Sequence, residues 1–448
     1  MSATPTTEAP PVPTLGEALH YWWKLGWISF GGPAGQIAIV HRELVDEKRW
    51  ISEARFLHAL NYCMVLPGPE AQQLATYIGW LMHRTLGGIV AGALFVLPSL
   101  FVLIAVSWVY MAFGQVPAVA GALYGVKPAV TAIVLHAAWR IGSRALKSPP
   151  LWAIAGAAFV AIYVFAVPFP AIVLVAGVLG ALGGKFAPKQ FASGGAHAAA
   201  KGMHAPAVID DDTATPPHAR FRISRLALVV CVSLLLWGGT LGALALFDSE
   251  STLLQMGWFF TKAALVTFGG AYAVLPYVVQ GAVENYGWLT APQMIDGLAL
   301  GETTPGPLIM VVAFVGFVGG WTKQIFGPEN LFVAGAAAAT VATWFTFLPS
   351  FLFILAGGPL VESTHGQLKF TAPLTGITAA VVGVVVNLAV FFAVHVLWPA
   401  GVGQRFDYLS ALIGIAAAVA LFRYKVGVIP VILACAVAGL VLTLAGAR

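Results

Sequence analysis

The sequence predicts an all-α, polytopic membrane protein made of two inverted-topology repeats whose helices are broken at glycine and proline as re-entrant segments. Three observations carry that expectation. The composition is too apolar for a water-facing surface. The second half repeats the motifs of the first at a fixed offset. Matching loops in the two halves differ in their content of Lys and Arg.

Of 448 residues, 59% are hydrophobic and 9% are charged, and the mean hydropathy is +0.87. A soluble domain carries roughly 25% charged residues. Gly (49) and Pro (28) are frequent, which membrane helices tolerate better than soluble ones. The net charge of +5 resides in loops beside apolar runs, so it implies a lipid bilayer and no nucleic acid. Cys63, Cys231 and Cys435 lie far apart in apolar stretches, which excludes a disulfide framework or zinc site and leaves packing residues. No metal and no cofactor is expected.

Residues 1–13 hold no Lys or Arg and no apolar run, so they read as a disordered tail and not a signal peptide. The first transmembrane repeat covers 14–184, and a flexible cytoplasmic linker rich in Gly, Ala, Pro and charge covers 185–221. His197, His204 and His218 fall in that linker as solvated side chains. Residues 222–247 form a connecting transmembrane helix, and 248–448 form the second repeat.

An offset of 238 carries Phe30-Gly31-Gly32 onto Phe268-Gly269-Gly270, Trp50 onto Trp288, Pro67-Gly68-Pro69 onto Pro305-Gly306-Pro307, and Lys24 onto Lys262. After a 13-residue insertion, Leu97-Pro98-Ser99 matches Leu348-Pro349-Ser350 and Gly125 matches Gly376. These identities fall on helix-breaking and aromatic positions in register, which marks an internal duplication.

The copies are expected to face opposite ways. Arg42, Lys48 and Arg49 lie between the first two motifs, whereas residues 279–288 carry no Lys or Arg. Arg140, Arg144 and Lys147 contrast in the same way with the bare 391–398. Short loops rich in Lys and Arg mark the cytoplasmic side, so the repeats are inverted. A spanning helix needs about 20 apolar residues, yet 52–66 and 69–83 are short runs joined at Pro67-Gly68-Pro69. Read as a re-entrant hairpin, with a second tip at Phe30-Gly31-Gly32-Pro33, this unit keeps every basic loop of the first half cytoplasmic. Spans are then expected near 86–113, 116–143, 150–167 and 169–184, and near 331–357, 370–398, 406–423 and 425–446.

The four breaks are the sharpest functional signal. A tip in mid-membrane exposes the first N–H groups of the following helix, which attract an anion. Ala34-Gly35-Gln36, Glu70-Ala71 and Ala271-Tyr272 follow such breaks; ordinary kinks are the plain alternative. Lys24 and Lys262 each lie six residues before a Phe-Gly-Gly and either neutralise a doubly charged substrate or snorkel beside Trp22, Trp23 and Trp258. Glu70 and Glu302 flank the Pro-Gly-Pro turns as candidate proton acceptors or lysine partners, Glu70 alternatively as a helix cap. Thr303 and Thr304 offer hydroxyl donors. Lys127 and His136, matched by Thr378 and Asn387, are further candidates that structural roles would also explain.

At FGGPAGQIAIVHRELVDEKRWIS (30–52), LPGPEAQQLATYIGW (66–80), FVLPS (95–99), TFGGAYAVLPYV (267–278) and GETTPGPLIM (301–310) the sequence resembles the chromate ion transporter family in its two-domain form. The resemblance spans everything except the tail and linker. It implies chromate efflux and chromate resistance, with sulfate as a chemical analogue.

Physics points the same way. The membrane potential is worth about 2.3 kcal/mol per charge per 100 mV, so a dianion leaving a negative interior gains about 4.6 kcal/mol per 100 mV. Sulfate or other oxyanion uptake or exchange is the alternative and would need co-transported cations; a passive anion channel is another. An integral-membrane enzyme is the least supported reading, since no nucleophile–base pair, HExxH or Ser/His/Asp set stands out. The expected setting is the cytoplasmic (inner) membrane, crossed several times, with a homodimer possible.

Overall fold

The computed structural model describes residues 10–30, 32–191, 206–210, 213, 216–247, 251–364 and 371–446. Its first half runs α1 (Leu15–Ile28), α2 (Gly32–His41), a π-helical turn (Arg42–Glu47), α3 (Glu53–Val65), α4 (Glu70–Phe113), α5 (Pro117–Ala145), α6 (Pro149–Tyr163), α7 (Phe169–Phe186) and the single turn α8 (Pro188–Phe191). Helix α9 (Ile223–Phe247) leads to the second half. There follow α10 (Thr252–Leu265), α11 (Ala271–Val279), a π turn (Gln280–Asn285), α12 (Ala291–Thr303), a 3-10 turn (Leu308–Met310), α13 (Val311–Thr322), α14 (Leu331–Thr364), α15 (Thr371–Leu397), α16 (Tyr408–Phe422) and α17 (Val428–Leu444). The one β feature among the described residues is an isolated bridge between Ile51 and Ile209.

Helices α4, α5, α7, α9, α14 and α15 are long and apolar enough to cross a membrane, and α6, α13, α16 and α17 are shorter apolar helices. The chain is therefore a polytopic all-α membrane protein, and each expected span falls on a helix.

The order of elements recurs between the halves. Helix α12 starts and ends 238 residues after α3, and so do the two π turns. After each π turn a tryptophan amide reaches back to close it, Trp50 N–H to Leu44 O and Trp288 N–H to Ala282 O, both at 2.8 Å. Helix α4 breaks at His83 (φ −127°, ψ 33°) and Arg84 (φ 58°, ψ −161°). A Cβ on Gly79 would lie 2.6 Å from Gly87 O, so 70–82 and 85–113 run antiparallel in close contact. They correspond to α13 and α14, where Gly320 meets Ala334 O at 2.4 Å. The 13-residue insertion falls here: the first half turns in two residues, the second through 323–330.

Beyond these hairpins the halves interlock. Helices α6 and α7 pack on α15, and α16 and α17 pack on α5. Glycines permit the approach, since lipid supplies no hydrophobic drive between helices and small residues let backbones come close. A Cβ on Gly125 would stand 1.9 Å from Cys435 O, and one on the matching Gly376 would stand 2.4 Å from Ala176 O.

Part of the stretch expected to be a free linker is tied down. Val208 N–H and Ile209 N–H donate to Arg49 O and Trp50 O, Ser52 N–H donates to Ile209 O, and Ile209 is buried. His218 Nε2 lies 3.0 Å from Trp80 O. A short complementary strand of backbone therefore holds 206–210 against the basic segment after α2. His197 and His204 lie outside the described residues.

Gly125→Ala should lower the yield of monodisperse detergent-extracted protein and its melting temperature, by the equivalent of about 1–3 kcal/mol of overpacking. Gly156→Ala, with nothing within 4 Å of the new methyl, should change neither. Size-exclusion profiles and thermal melts check both.

Candidate functional site

Each half opens with two helix hairpins whose outer ends are capped and whose inner ends are not. Thr14 and Thr290 form capping boxes with Glu17 and Gln293 at the starts of α1 and α12. Ser52 and Ser251 cap α3 and α10 through the amides of Arg55 and Leu254. In contrast, Pro69 before α4, Gly270 before α11 and Pro307 before the 3-10 turn offer no side-chain cap. Amide donors at those three starts are left for something else.

The hairpins are fixed by contacts across their legs. Lys24 Nζ pairs with Glu43 Oε1 at 3.1 Å, and Lys48 Nζ sits 5.8 Å over the Tyr21 ring, joining α1 to the segment after α2. In the second copy Phe259 stacks on Tyr277 at 4.8 Å and meets Trp288 edge-on at 5.4 Å.

The four breaks meet. Gly68 N–H donates to Thr267 O at 2.7 Å, and Gly306 N–H donates to Ser29 O at 2.8 Å. Ser29 and Thr267 differ by 238, as do Gly68 and Gly306, so the Pro-Gly-Pro tip of each half hydrogen-bonds the residue before Phe-Gly-Gly in the other. Gly68 (φ +124°) and Gly306 (φ +101°) need glycine twice over. Their φ lies in the left-handed range, and a Cβ would fall 2.5 Å from Ser350 Oγ or from Ser99 Cβ. The Leu-Pro-Ser motif thus backs the opposite half's turn. Gln36 Nε2 donates to Gly306 O at 2.6 Å, Gln73 Nε2 donates to Pro67 O at 2.8 Å, and Pro33 faces Gly270. Ser99 Oγ, Gln72 Oε1 and Gln73 Oε1 are buried with no partner among the described residues.

The structure therefore assembles Gly32, Pro33, Gln36, Pro67, Gly68, Gly269, Gly270, Pro305, Gly306 and Pro307 around one centre. Phe30 flanks it and Gly31 lies outside the described residues. Glu70 opens α4 at this centre. Glu302 accepts a hydrogen bond from Tyr272 at the head of α11. The Thr303 and Thr304 hydroxyls donate to carbonyls of their own helix, Ala299 and Gly301. Lys24 is half exposed and held by Glu43, and Lys262 is exposed with no acidic partner among the described residues.

Two clusters of polar partners escaped the sequence reading, which had singled out Lys127 but not its partners. Arg55 Nη1 pairs with Glu362 Oε2 at 2.7 Å, and Tyr77 OH donates to the other Glu362 oxygen. Lys127 Nζ lies 3.4 Å from Asp296 Oδ2, which also accepts from Tyr110 OH at 3.0 Å. Lone carboxylates inside apolar runs were the available signal, but their partners are 307 and 169 residues away in sequence.

A helical membrane chain whose uncapped helix starts converge on a buried polar centre has the build of a transporter of small anions. A model of the family described as "Chromate transporter" matches residues 17–181 and 254–440, the two halves. The chain belongs to the chromate transporter family. It is 33% identical over 446 residues to a "Chromate transport protein" of Pseudomonas aeruginosa, covering 97% of this chain and 94% of that one. It is 30% identical to a "Chromate transport protein" of Cupriavidus metallidurans, covering 88% and 86%. An "Uncharacterized transporter YwrA" of Bacillus subtilis is 29% identical over 121 residues, only 27% of this chain but 68% of its own length. No solved structure matches.

Gly68→Ala and Gly306→Ala should each cut chromate transport at least tenfold while the protein still reaches the membrane. Gly287→Ala carries the same class of strain (φ +55°) with open space around it and should keep most activity. Equal transport in all three would remove crowding at the tips as the cause.

Proposed function

We propose that this chain exports chromate, as a tetrahedral dianion, across the cytoplasmic membrane and so confers chromate resistance. The observation that carries this reading is the reciprocal pair of bonds, Gly68 to Thr267 and Gly306 to Ser29. They bring uncapped helix starts from both halves together, and amide dipoles at such starts favour an anion.

In this reading the hairpins α1–α2, α3–α4, α10–α11 and α12–α13 are re-entrant and the halves are inverted. Helices α1 and α2, of 14 and 10 residues, span about 21 and 15 Å, short of the roughly 30 Å hydrocarbon core. The basic segments at 42–49, 144–147, 185–189, 220–225 and 423–425 then all lie in the cytoplasm, while 164–168 and 280–290, free of Lys and Arg, lie outside. Lys323 and Arg405 are single basic residues on the outside, so Lys and Arg are in clear excess on the cytoplasmic side, as the positive-inside rule requires.

Direction follows from charge. Backbone donors add no formal charge, so the dianion's passage is driven by the potential, at about 4.6 kcal/mol per 100 mV for two charges, and the outward course is downhill. Lys262, exposed and without an acidic partner among the described residues, is the ammonium free to attract the dianion toward the tips. Lys24 is already engaged by Glu43.

Chromate-challenged cells making this protein should accumulate several-fold less chromate than control cells. Lys262→Ala should raise accumulation more than Lys24→Ala at equal expression. Unchanged or raised accumulation with the unaltered protein would overturn export and favour sulfate-type uptake. Single cysteines placed in 41–50 and 279–288 should react with an impermeant thiol reagent from opposite faces; labelling from one face would end the inverted arrangement.

A further inference from the structure

The two halves share one order of elements but not one degree of burial. Eight of the nine residues of α11 are buried, against two of the ten in α2. Nine of thirteen are buried in α12, against five of thirteen in its counterpart α3. Helix α12 lies against α5, α15 and α17, whereas α3 packs chiefly on α4. Half-buried His58 and Asn61 and half-exposed Met64 line the face of α3 that α12 buries as Asp296, Ala299 and Glu302.

The difference has a specific location. Both hairpins are tied to the opposite half's long helix: Arg55 of α3 to Glu362 of α14, and Asp296 of α12 to Tyr110 of α4. The second tie, Asp296 to Lys127 of α5, belongs to α12. The offset of 238 carries His58 onto Asp296, and the offset of 251 after the insertion carries Lys127 onto Thr378. Asp296 Oδ1 is buried without a partner among the described residues, so the contact on the closed side is incompletely bonded, as suits one that must open.

We propose that Asp296–Lys127 is the closed gate on the outer face of the anion path, and that its pseudo-equivalent, His58–Thr378, is the gate that closes the cytoplasmic face when the first opens. The proposal rests on the reading of this chain as a transporter with inverted halves. The structure is then the inward-open member of a pair of states, and exchanging the environments of the halves generates the other. Thr378 Oγ1 lies 3.9 Å from the Cβ position of Gly269. The exchange puts Lys127 in that place against the first-half tip, so its ammonium alternates between Asp296 and the anion centre.

The test places cysteine pairs in a variant lacking Cys63, Cys231 and Cys435, with a protease site inserted within 192–205 so that the halves separate on a denaturing gel unless joined. Lys127→Cys with Asp296→Cys, and His58→Cys with Thr378→Cys, should each give a full-length band in membranes under a short thiol cross-linker. The cross-link between His58→Cys and Thr378→Cys, a pair that leaves Lys127 in place, should reduce transport at least fivefold, reversibly if the linker is cleavable. Joining of the first pair without the second, with or without chromate, overturns the proposal.

A second measurement avoids the paired variants. Asp296→Asn should shift the protein toward the opposite state and slow labelling of a lone His58→Cys by threefold or more; an unchanged rate overturns the gate as well. Cross-linking needs no chromate, so both bands without chromate export would leave the gate standing and remove the substrate assignment. Chromate export without the second band would do the reverse.

Discussion

The constraint on which this structure depends is that helices may not stop inside an apolar medium without partners for their backbone. In lipid each unsatisfied N–H or C=O group costs several kcal/mol, yet helices of this membrane chain stop at four glycine- and proline-containing breaks that meet one another. The fold meets that cost by pairing the breaks with one another. Gly68 binds Thr267 O and Gly306 binds Ser29 O, Gln36 and Gln73 take up tip carbonyls, and Ser99 and Ser350 back the turns. Because each tip needs a residue from the other half, neither half is complete alone. The interlocking of α6 and α7 with α15, and of α16 and α17 with α5, continues that dependence to the periphery.

The common order of elements in the two halves accounts for the reciprocal fit of the tips, but in the transport cycle proposed above a strictly symmetric molecule would be sealed at both faces or open at both. The sequence breaks the symmetry where it matters. Lys127 and Asp296 have Thr378 and His58 as counterparts, and Gln36 and Gln73 correspond to Val274 and Val311. A charged contact on one side and a neutral one on the other are unequal in strength, since breaking a buried ion pair costs about 3–5 kcal/mol. Under the proposed gating, the state seen here is the one in which the stronger contact is made, the order expected of a two-state protein at rest.

The sequence was most legible where a local rule had one solution. Proline and glycine marked the Phe-Gly-Gly and Pro-Gly-Pro breaks but not the break of α4 at His83 and Arg84, the 238-residue offset predicted α12 from α3, and apolar runs located the spans. Packing partners were less legible. Nothing local in Glu362 or Asp296 announces Arg55 or Lys127, because such pairs are set by three-dimensional packing across most of the chain. The docking of 206–210 was missed for a different reason. Its composition is that of a loop, and only the edge presented by Arg49 to Ser52 gives its backbone somewhere to bond. Lys24 was drawn toward the anion by its equivalence to Lys262, whereas Glu43, replaced by Gly281 in the other copy, engages it.

A centre built from backbone dipoles also limits what the site can distinguish. Amide donors at helix starts recognise charge and the geometry of oxygens, and two tetrahedral dianions of similar size present both alike. Selectivity must then come from the walls rather than the donors. Side chains that differ between equivalent positions of the two halves near the tips include Gln36 and Val274, Gln73 and Val311, Ala34 and Tyr272, and Leu66 and Thr304, with Glu70 and Glu302 beside the two turns. A neutral donor set has a kinetic advantage too. A dianion held by several full positive charges in a low-dielectric centre would leave slowly. In the proposed cycle, partial charges with one ammonium that returns to Asp296 as the outer gate closes would allow release at each turnover.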